Sequence, residues 1–147
     1  MPSRASDLDF RPPPQAYSHR FFVASTDIDE FGHANNVVWV RWVNEVAIRH
    51  SNAVGLGPDI YVTLQLLWVV RRHDIEYLVP ALEAEELEAL TWAATPRGAT
   101  ILRRTVFRRV ADGRVLARAA TTWAMIDRSG KPRRIPREIA SHYEFVD

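Results

Sequence analysis

A segment near the start of the chain carries residue types that could act together on a carbonyl group. Residues 27–36 contain the carboxylate of Asp29, the imidazole of His33 and a pair of asparagines ending at Asn36. Asp29 and His33 are four residues apart and can face a common point, and an imidazole with a pKa of about 6.5 can donate or accept a proton near neutrality. A helix beginning at Asn36 would add unpaired N–H groups and the positive end of its dipole. These features suit acyl transfer by attack on a carbonyl carbon, with the helix start as an oxyanion site.

Two other acids near this segment are assigned structural roles. Asp27 belongs to a residue type that is typical of turns and caps, and an isolated Asp-x-Asp is common in loops. Glu45 lies four residues from both Arg41 and Arg49, and ion pairing at that spacing explains it without catalysis. Gly32, next to the imidazole, would let the backbone approach a bound group closely.

The segment after the asparagines is predicted to be a helix over residues 36–50. Residues 37–40 are all apolar, so they lack the alternation of polar and apolar residues that is typical of a half-buried strand. On a helical wheel, by contrast, the polar and apolar residues of the segment fall on opposite sides. The polar arc holds Arg41, Asn44, Glu45 and Arg49, with Val37 and Ile48 intruding, and the apolar side holds Trp39, Val40, Trp42, Val43, Val46 and Ala47. Asn35 or Asn36 is a natural N-cap, and the glycines and proline in residues 52–58 end the helix. A helix that is apolar nearly all round is expected to be buried.

The rest of the chain is dominated by predicted β-strands. They cover residues 17–25, most of residues 60–80, and residues 86–95, 100–110 and 115–127. Asp112-Gly113 is a strong hairpin signal between the last two. Residues 137–145 are expected to form a short terminal helix or strand. Residues 1–16, with three consecutive prolines, are predicted to be an extended Pro-rich arm ahead of one domain over residues 17–147.

This order of elements predicts an α+β architecture. One strand, one long helix and four further strands fit an antiparallel sheet of about five strands wrapped around a single central helix. A second protomer is the expected cover for whatever one sheet leaves open.

Composition excludes several kinds of chemistry. The 147 residues contain no cysteine, so thiol catalysis, disulfides and thiolate metal sites are absent, and the five histidines show no paired ligand spacing, which predicts no metal. A net charge of +1 gives no argument for nucleic acid or membrane as a partner. The first residues lack the apolar core of a secretion signal, and no window reaches the length of a membrane span, which predicts a cytoplasmic protein.

The string D-x-D-x-x-G-H-x-N-N, its place after a first strand and the helix-then-strands order resemble the hotdog-fold acyl-CoA thioesterases of the 4-hydroxybenzoyl-CoA thioesterase-like superfamily. The resemblance covers about residues 17–143, and residues 75–80 and 127–136 resemble the family's second strand ending and its closing strand with a basic turn. It implies that Asp29 is the catalytic carboxylate, as nucleophile or as base for water. It also implies that the backbone N–H near Asn36 polarises the thioester carbonyl.

Plant acyl-carrier-protein thioesterases share the D-x-x-x-H-x-N-N pattern and place a catalytic histidine at the position of His33. They have an asparagine where this chain has Phe31, so the resemblance does not carry over an asparagine-assisted mechanism.

Basic residues are concentrated late in the chain, with twelve Lys or Arg against two acids over residues 91–137. Most are expected on solvated strand faces, although arginine is well suited to hold the phosphates of coenzyme A. By the same resemblance, Arg97, Arg133 and Arg134 fall where the family binds those phosphates. The aromatic and glycine signatures of RNA-binding sheets are missing, which disfavours nucleic acid.

The resemblance therefore implies hydrolysis of an acyl-CoA thioester to a carboxylic acid and coenzyme A, by a homodimer or a dimer of dimers and with no cofactor beyond the coenzyme A of the substrate. Hydrolysis of acyl-carrier-protein thioesters, acyl-CoA binding without hydrolysis, and a dehydratase are the alternatives. Asp29 argues against a pure binding module, which needs no carboxylate beside a thioester. The tryptophans fit an apolar acyl pocket and core packing equally well.

Overall fold

Five strands form one antiparallel sheet. The computed structural model describes residues 4–5 and 8–147. The strands are β1 (Tyr17–Phe22), β2 (Leu66–Tyr77), β3 (Glu86–Ala93), β4 (Thr100–Arg109) and β5 (Val115–Asp127). Their order across the sheet is β1-β3-β4-β5-β2, and every neighbouring pair is antiparallel. The predicted α+β class with about five antiparallel strands is confirmed.

The predicted helix is present as α1 (Asn36–Ala53). Asn35 is its N-cap, and the Oδ1 atom of Asn35 accepts a hydrogen bond from the N–H of Val37 at 2.9 Å. The apolar side of the wheel faces the sheet: Trp39 and Trp42 are almost completely buried and pack with Phe107 of β4. The helix thereby covers one face of the sheet, which we call the inner face.

The apolar stretch that begins at residue 60 is not a strand from its start. Residues Pro58–Leu64 form a second helix, α2, with Gly57 as its N-cap. Helix α2 ends at Gln65, whose φ of 56° is left-handed, and β2 begins at the next residue. A third helix, the short α3 (Arg137–Ala140), lies in the segment that was predicted to form a short helix or a strand. The solitary helix of the prediction is thus joined by two shorter ones.

The outer face of the sheet is covered in part by the N-terminal segment. Ala5 and Phe10 are buried against Trp92, Val106 and Ala120, on the side of the sheet opposite α1. Part of the predicted arm therefore packs on the domain, while residues 1–3 and 6–7 of that arm lie outside the described residues. The division into an arm and a domain stays a prediction.

Helix α1 runs antiparallel to β2, which gives the domain two distinct ends. At one end the hydroxyl of Tyr77, the last residue of β2, donates to the carbonyl oxygen of Asn36 at 3.2 Å. At the other end Ile48, in the second half of α1, lines a cavity together with Leu66, the first residue of β2. Residues 27–35 therefore lie at the end of the sheet where β2 finishes.

Strand β2 has one free edge in the part of the chain that the structure describes. It pairs with β5 along one side, and no described strand lies along the other. Leu67 and Tyr77 of this strand are each 49% exposed. In residues 4–5 and 8–147, no helix has the length and apolarity needed to cross a membrane.

Candidate active site

The segment with the candidate catalytic residues folds into a closed turn. Ile28 and Ala34 form an isolated antiparallel bridge, and the N–H of Asp29 donates to the carbonyl oxygen of His33 at 2.9 Å. The N–H of Gly32 donates back to the carbonyl oxygen of Asp29 at 3.0 Å. Gly32 has a φ of +82°, a conformation that other residues adopt only with strain. The turn brings the backbones of Asp29 and His33 together.

The side chains of Asp29 and His33 remain separate in this structure. The Oδ1 atom of Asp29 accepts a hydrogen bond from the N–H of Phe31 at 2.9 Å, which fixes the half-buried carboxylate in the turn. Among the described residues, no hydrogen bond uses its Oδ2 atom, and none joins the carboxylate to the exposed imidazole of His33. Asp29 therefore keeps one oxygen available for a substrate or a water molecule.

The start of α1 offers one backbone donor beside this turn. The N–H of Val37 is satisfied by the Asn35 side chain, and the N–H of Val38 donates to the Asn35 carbonyl oxygen at 2.9 Å. Within the described part of the chain, nothing accepts a hydrogen bond from the N–H of Asn36, which is an exposed residue. That N–H lies at the positive end of the helix dipole, as an oxyanion donor should.

Both carboxylate oxygens of Asp27 and its carbonyl oxygen accept hydrogen bonds, and these bonds hold the turn against the helix. The residue as a whole is 5% exposed. Its Oδ1 atom accepts from Nη2 of Arg41 at 2.6 Å, and its Oδ2 atom accepts from the N–H of Ala24 at 3.1 Å. Its carbonyl oxygen accepts from the N–H of Asn35 at 2.9 Å. Arg41 also pairs with Glu45 at 3.3 Å, so both of these acids have the structural contacts that their positions predicted.

A large cavity lies at the opposite end of α1. It has a volume of about 820 Å³, and its walls come from the second half of α1, from α2 and from the sheet. Trp68, Trp123, Tyr61, Leu56 and Ile101 are among its lining residues. None of the three candidate catalytic residues lines it. Ile48 in its wall is twelve residues beyond Asn36, which corresponds to about 18 Å along a helix.

Sequence reasoning did not identify this cavity, because one wall is α2. The signal for α2 was present: Gly57-Pro58-Asp59 has the proline and the acid of a typical helix first turn. Two of the five tryptophans line the cavity, whereas Trp39 and Trp42 belong to the core. Trp39 and Trp42 therefore serve core packing, while Trp68 and Trp123 contribute to the wall of a cavity.

The buried Arg103 and the half-buried His50 form a hydrogen-bonded pair beside the cavity that no sequence pattern indicated. The Nη1 atom of Arg103 donates to Nδ1 of His50 at 2.9 Å and to Oγ1 of Thr91 at 3.1 Å. A guanidinium only donates, so Nδ1 of His50 must accept and the imidazole is neutral. Burial, with a smaller contribution from the charge of Arg103, lowers the pKa of His50 to about 4. The ring of His50 is stacked on Tyr17 at 5.3 Å and meets Tyr143 edge-on at 5.2 Å.

The three arginines predicted to bind phosphates lie on neighbouring segments at the cavity end of the sheet. Arg97 is in the β3–β4 turn, and the N–H of Ile135 donates to the carbonyl oxygen of Gly98 in the same turn at 3.0 Å, which brings residues 133–135 alongside. All three arginines are exposed. The Nε atom of Arg133 pairs with Asp127 at 2.8 Å, so Arg133 also supports its own turn. Across the described residues, no group of His, Asp or Glu is arranged to hold a metal ion.

Solved structures identify the class of fold. A 1,4-dihydroxy-2-naphthoyl-CoA thioesterase from Synechocystis superposes with a TM-score of 0.80 at 14% identity, over 86% of this chain and 94% of that one. A putative oleoyl thioesterase from Lactobacillus plantarum superposes with a TM-score of 0.83 at 20% identity, over 90% of this chain and 53% of that one. The fold is that of the hotdog thioesterases.

Sequence comparison identifies the family. The chain is 27% identical over 136 residues to the chloroplastic oleoyl-acyl carrier protein thioesterase 2 of Arabidopsis thaliana. The match covers 87% of this chain but only 37% of that relative, so the chain spans little more than a third of its length. The model of the acyl-ACP thioesterase N-terminal domain family matches residues 14–143, and the chain belongs to this family.

The depressed pKa of His50 predicts a pH-dependent stability. Because the pKa is about 4 in the folded chain and about 6.5 in the unfolded chain, the unfolded chain binds an extra proton between these values. The contribution of His50 is therefore complete above about pH 6.5 and is lost as the pH falls to about 4. His50→Asn keeps an acceptor for Arg103 and does not titrate. We expect the free energy of unfolding in urea to fall more steeply between pH 6.5 and 4 in the wild type than in His50→Asn.

Burial also lowers the pKa of His19 and His73. Both are common to the two proteins, so their contribution cancels in the comparison. Parallel pH curves for the wild type and the variant would contradict the neutral state of His50 in the folded chain.

Proposed function

We propose that the chain hydrolyses acyl thioesters, with acyl-CoA as the substrate, to a carboxylic acid and free coenzyme A. The observation that carries this proposal is the pairing of a carboxylate with a free oxygen, on Asp29, with an unpaired helix-start N–H, on Asn36. Membership of a thioesterase family supports it. A module that only bound acyl-CoA would gain nothing from a carboxylate placed beside the thioester.

In the proposed mechanism, Asp29 acts on the thioester carbonyl carbon. It either attacks that carbon itself or removes a proton from the water that attacks. The negative charge that develops on the carbonyl oxygen is stabilised by the N–H of Asn36 and the positive end of the α1 dipole. When the tetrahedral intermediate collapses, the C–S bond breaks and the thiolate of coenzyme A leaves. If Asp29 attacked directly, water then hydrolyses the resulting anhydride. His33 orients or polarises the thioester.

The proposed active unit is a homodimer with shared sites. A long strand edge that pairs with no described strand, as on β2, is a ready template for a second copy. Two copies that pair their β2 edges about a two-fold axis are antiparallel, so the Tyr77 end of one lies beside the Leu66 end of the other. That arrangement would bring the Asp29 turn of one subunit to the cavity of its partner. It would unite two parts that lie at opposite ends of α1 in a single chain.

Coenzyme A is favoured over an acyl carrier protein by the arginines near the cavity. Arg97, Arg133 and Arg134 would hold its phosphates, and no other cofactor is proposed. The relative from Arabidopsis thaliana, an oleoyl-acyl carrier protein thioesterase, favours the second candidate, hydrolysis of acyl-carrier-protein thioesters. Both candidates share the same chemistry at Asp29 and differ in what holds the rest of the substrate.

Replacing Asp29 tests the mechanism. Asp29→Asn keeps the shape of the side chain and removes both its nucleophilicity and its basicity. We expect kcat to fall by roughly two orders of magnitude or more, with little change in KM for acyl-CoA. His33→Ala should have an intermediate effect, because the helix-start N–H and dipole remain.

Asp27→Asn is the matched control for this experiment. It should lower the free energy of unfolding more than kcat, because it breaks the ion pair with Arg41. Near-normal kcat in a folded Asp29→Asn protein would contradict the mechanism. A larger kcat loss in Asp27→Asn would move the catalytic carboxylate two residues upstream.

A mixing experiment tests the shared site. Asp29→Asn lacks the carboxylate and Ala47→Phe fills the cavity from α1, so each variant alone should be nearly inactive. In a shared site, mixed dimers contain one intact site, and refolding the two variants together should restore about a quarter of wild-type activity. Light scattering checks assembly. A stable monomer at micromolar concentration, or no recovery in confirmed mixed dimers, would contradict the shared site.

Neutralising Arg134 tests the choice of coenzyme A. Arg134→Gln should raise KM for acyl-CoA about tenfold or more, as expected for loss of a charged hydrogen bond, and should leave KM for a short N-acetylcysteamine thioester unchanged. Arg133→Gln should raise KM for acyl-CoA in the same way and should also lower the free energy of unfolding, because Arg133 forms an ion pair with Asp127. Arg114→Gln, in the β4–β5 turn at the other end of the sheet, is the control. Equal effects on both thioesters would assign the arginines a structural role.

A further inference from the structure

The cavity contains a charged group that its apolar walls do not explain. Arg103 of β4 lines the cavity, yet only 5% of its surface is exposed. Arginine keeps its proton in proteins, so this position carries a full positive charge. Buried charges are ordinarily paired, because an isolated ion pays a large desolvation penalty.

Arg103 has no such partner in the described part of the chain. Its hydrogen bonds go to Thr91 and to the neutral ring of His50. None of the ion pairs formed by the described residues includes it. Other arginines of the same sheet do have carboxylates: Arg108 pairs with Glu88, Arg109 with Glu85 and Arg118 with Glu76. Arg71, Arg72 and Arg104 of the sheet make no ion pair either, but they are exposed or half-buried, so among the described residues Arg103 is the buried arginine that lacks a counter-ion.

The surrounding groups cannot compensate for this charge. Burial lowers the pKa of Arg103, and the nearby hydroxyl of Tyr143 opposes that effect only in part. Both hydrogen bonds at 2.9 and 3.1 Å use Nη1, which leaves the Nε–Nη2 side of the guanidinium for another acceptor. A guanidinium presents parallel N–H groups that match the two oxygens of a carboxylate.

We propose that Arg103 binds a carboxylate at the far end of the acyl group, so that the chain acts on thioesters of ω-carboxy acids. The proposal rests on the thioesterase function for the reaction, but not for the binding of the carboxylate. The methylene chain packs against Trp68, Trp123 and Ile101, and the terminal carboxylate provides the missing counter-ion. A methyl-terminated chain would displace water from the guanidinium and offer no hydrogen bond in return.

A phosphate group fits this position less well than a carboxylate. It carries more charge, and Arg103 is the buried cation of this cavity among the described residues, since His50 is uncharged at neutral pH and Arg128, the other arginine of the lining, is exposed. The three exposed arginines proposed to bind phosphates, at residues 97, 133 and 134, are not among the residues that line the cavity. The buried and the exposed cations thus suit opposite ends of one substrate.

The first experiment measures binding without hydrolysis. Hexanoate and hexanamide have the same length and differ in charge, and their binding is followed through the fluorescence of the cavity tryptophans. We expect the wild type to bind hexanoate at least about tenfold more tightly than hexanamide. Arg103→Met should abolish that difference, and replacing this buried charge by an apolar side chain should not unfold the protein. Arg104→Met, which removes the neighbouring arginine on the outer face, should preserve the difference.

The second experiment compares kcat/KM for adipoyl-CoA and hexanoyl-CoA. We expect the wild type to favour adipoyl-CoA by about tenfold or more, and Arg103→Met to favour hexanoyl-CoA. Arg103→Lys keeps the positive charge but not the parallel N–H groups of the guanidinium, and its preference for adipoyl-CoA should be intermediate. Equal binding of hexanoate and hexanamide by the wild type would overturn the carboxylate site, whatever the hydrolysis results. A difference in binding that depends on Arg103, with neither thioester hydrolysed, would support the site and overturn the thioesterase function.

Discussion

The packing of α1 against the inner face of the sheet determines where every candidate functional residue lies. Trp39 and Trp42 are nearly buried, and their rings lie 5.3 and 6.3 Å from the ring of Phe107. Removing one such side chain from a core costs roughly 3–5 kcal/mol, so α1 cannot rotate or slide without a large loss of stability. Its start therefore stays beside Tyr77, and its second half stays over the cavity.

Asp27 and Asp29, the two acids near the start of α1, differ in their hydrogen bonding. Both carboxylate oxygens of Asp27 accept hydrogen bonds from the protein, whereas among the described residues only one oxygen of Asp29 does. The side chain of Asp27 accepts hydrogen bonds from Arg41 and from the N–H of Ala24, and its carbonyl oxygen accepts one from the N–H of Asn35. Asp29, two residues later, makes one hydrogen bond through its side chain. The rigid anchor at Asp27 allows Asp29 to remain incompletely bonded in a well-defined position.

Local patterns predicted the elements better than they predicted the cavity. Helix α1 and its cap were predictable because their signals lie within a few residues of each other: the polar arc, the apolar arc and Asn35. Helix α2 was missed because Gln65, at a φ of 56°, separates it from β2 without a glycine or a proline. The contact between His50 and Arg103 joins residues 53 positions apart, and no local spacing rule indicates such a pair.

The separation of Asp29 from the arginines at the cavity end suits the proposed reaction. A carboxylate that attacks or activates water works best without a cation beside it, as the contrast between Asp29 and the paired Asp27 illustrates. An acyl thioester of coenzyme A, however, carries negative groups that need cations. In the proposed reaction, a domain that keeps the carboxylate of Asp29 at one end of α1, and Arg97, Arg103, Arg133 and Arg134 at the other end, meets both requirements. In the proposed dimer, the Asp29 end of one subunit lies beside the arginine end of its partner. A substrate bound between them would place its thioester at Asp29 of one subunit and its anionic groups at the arginines of the other.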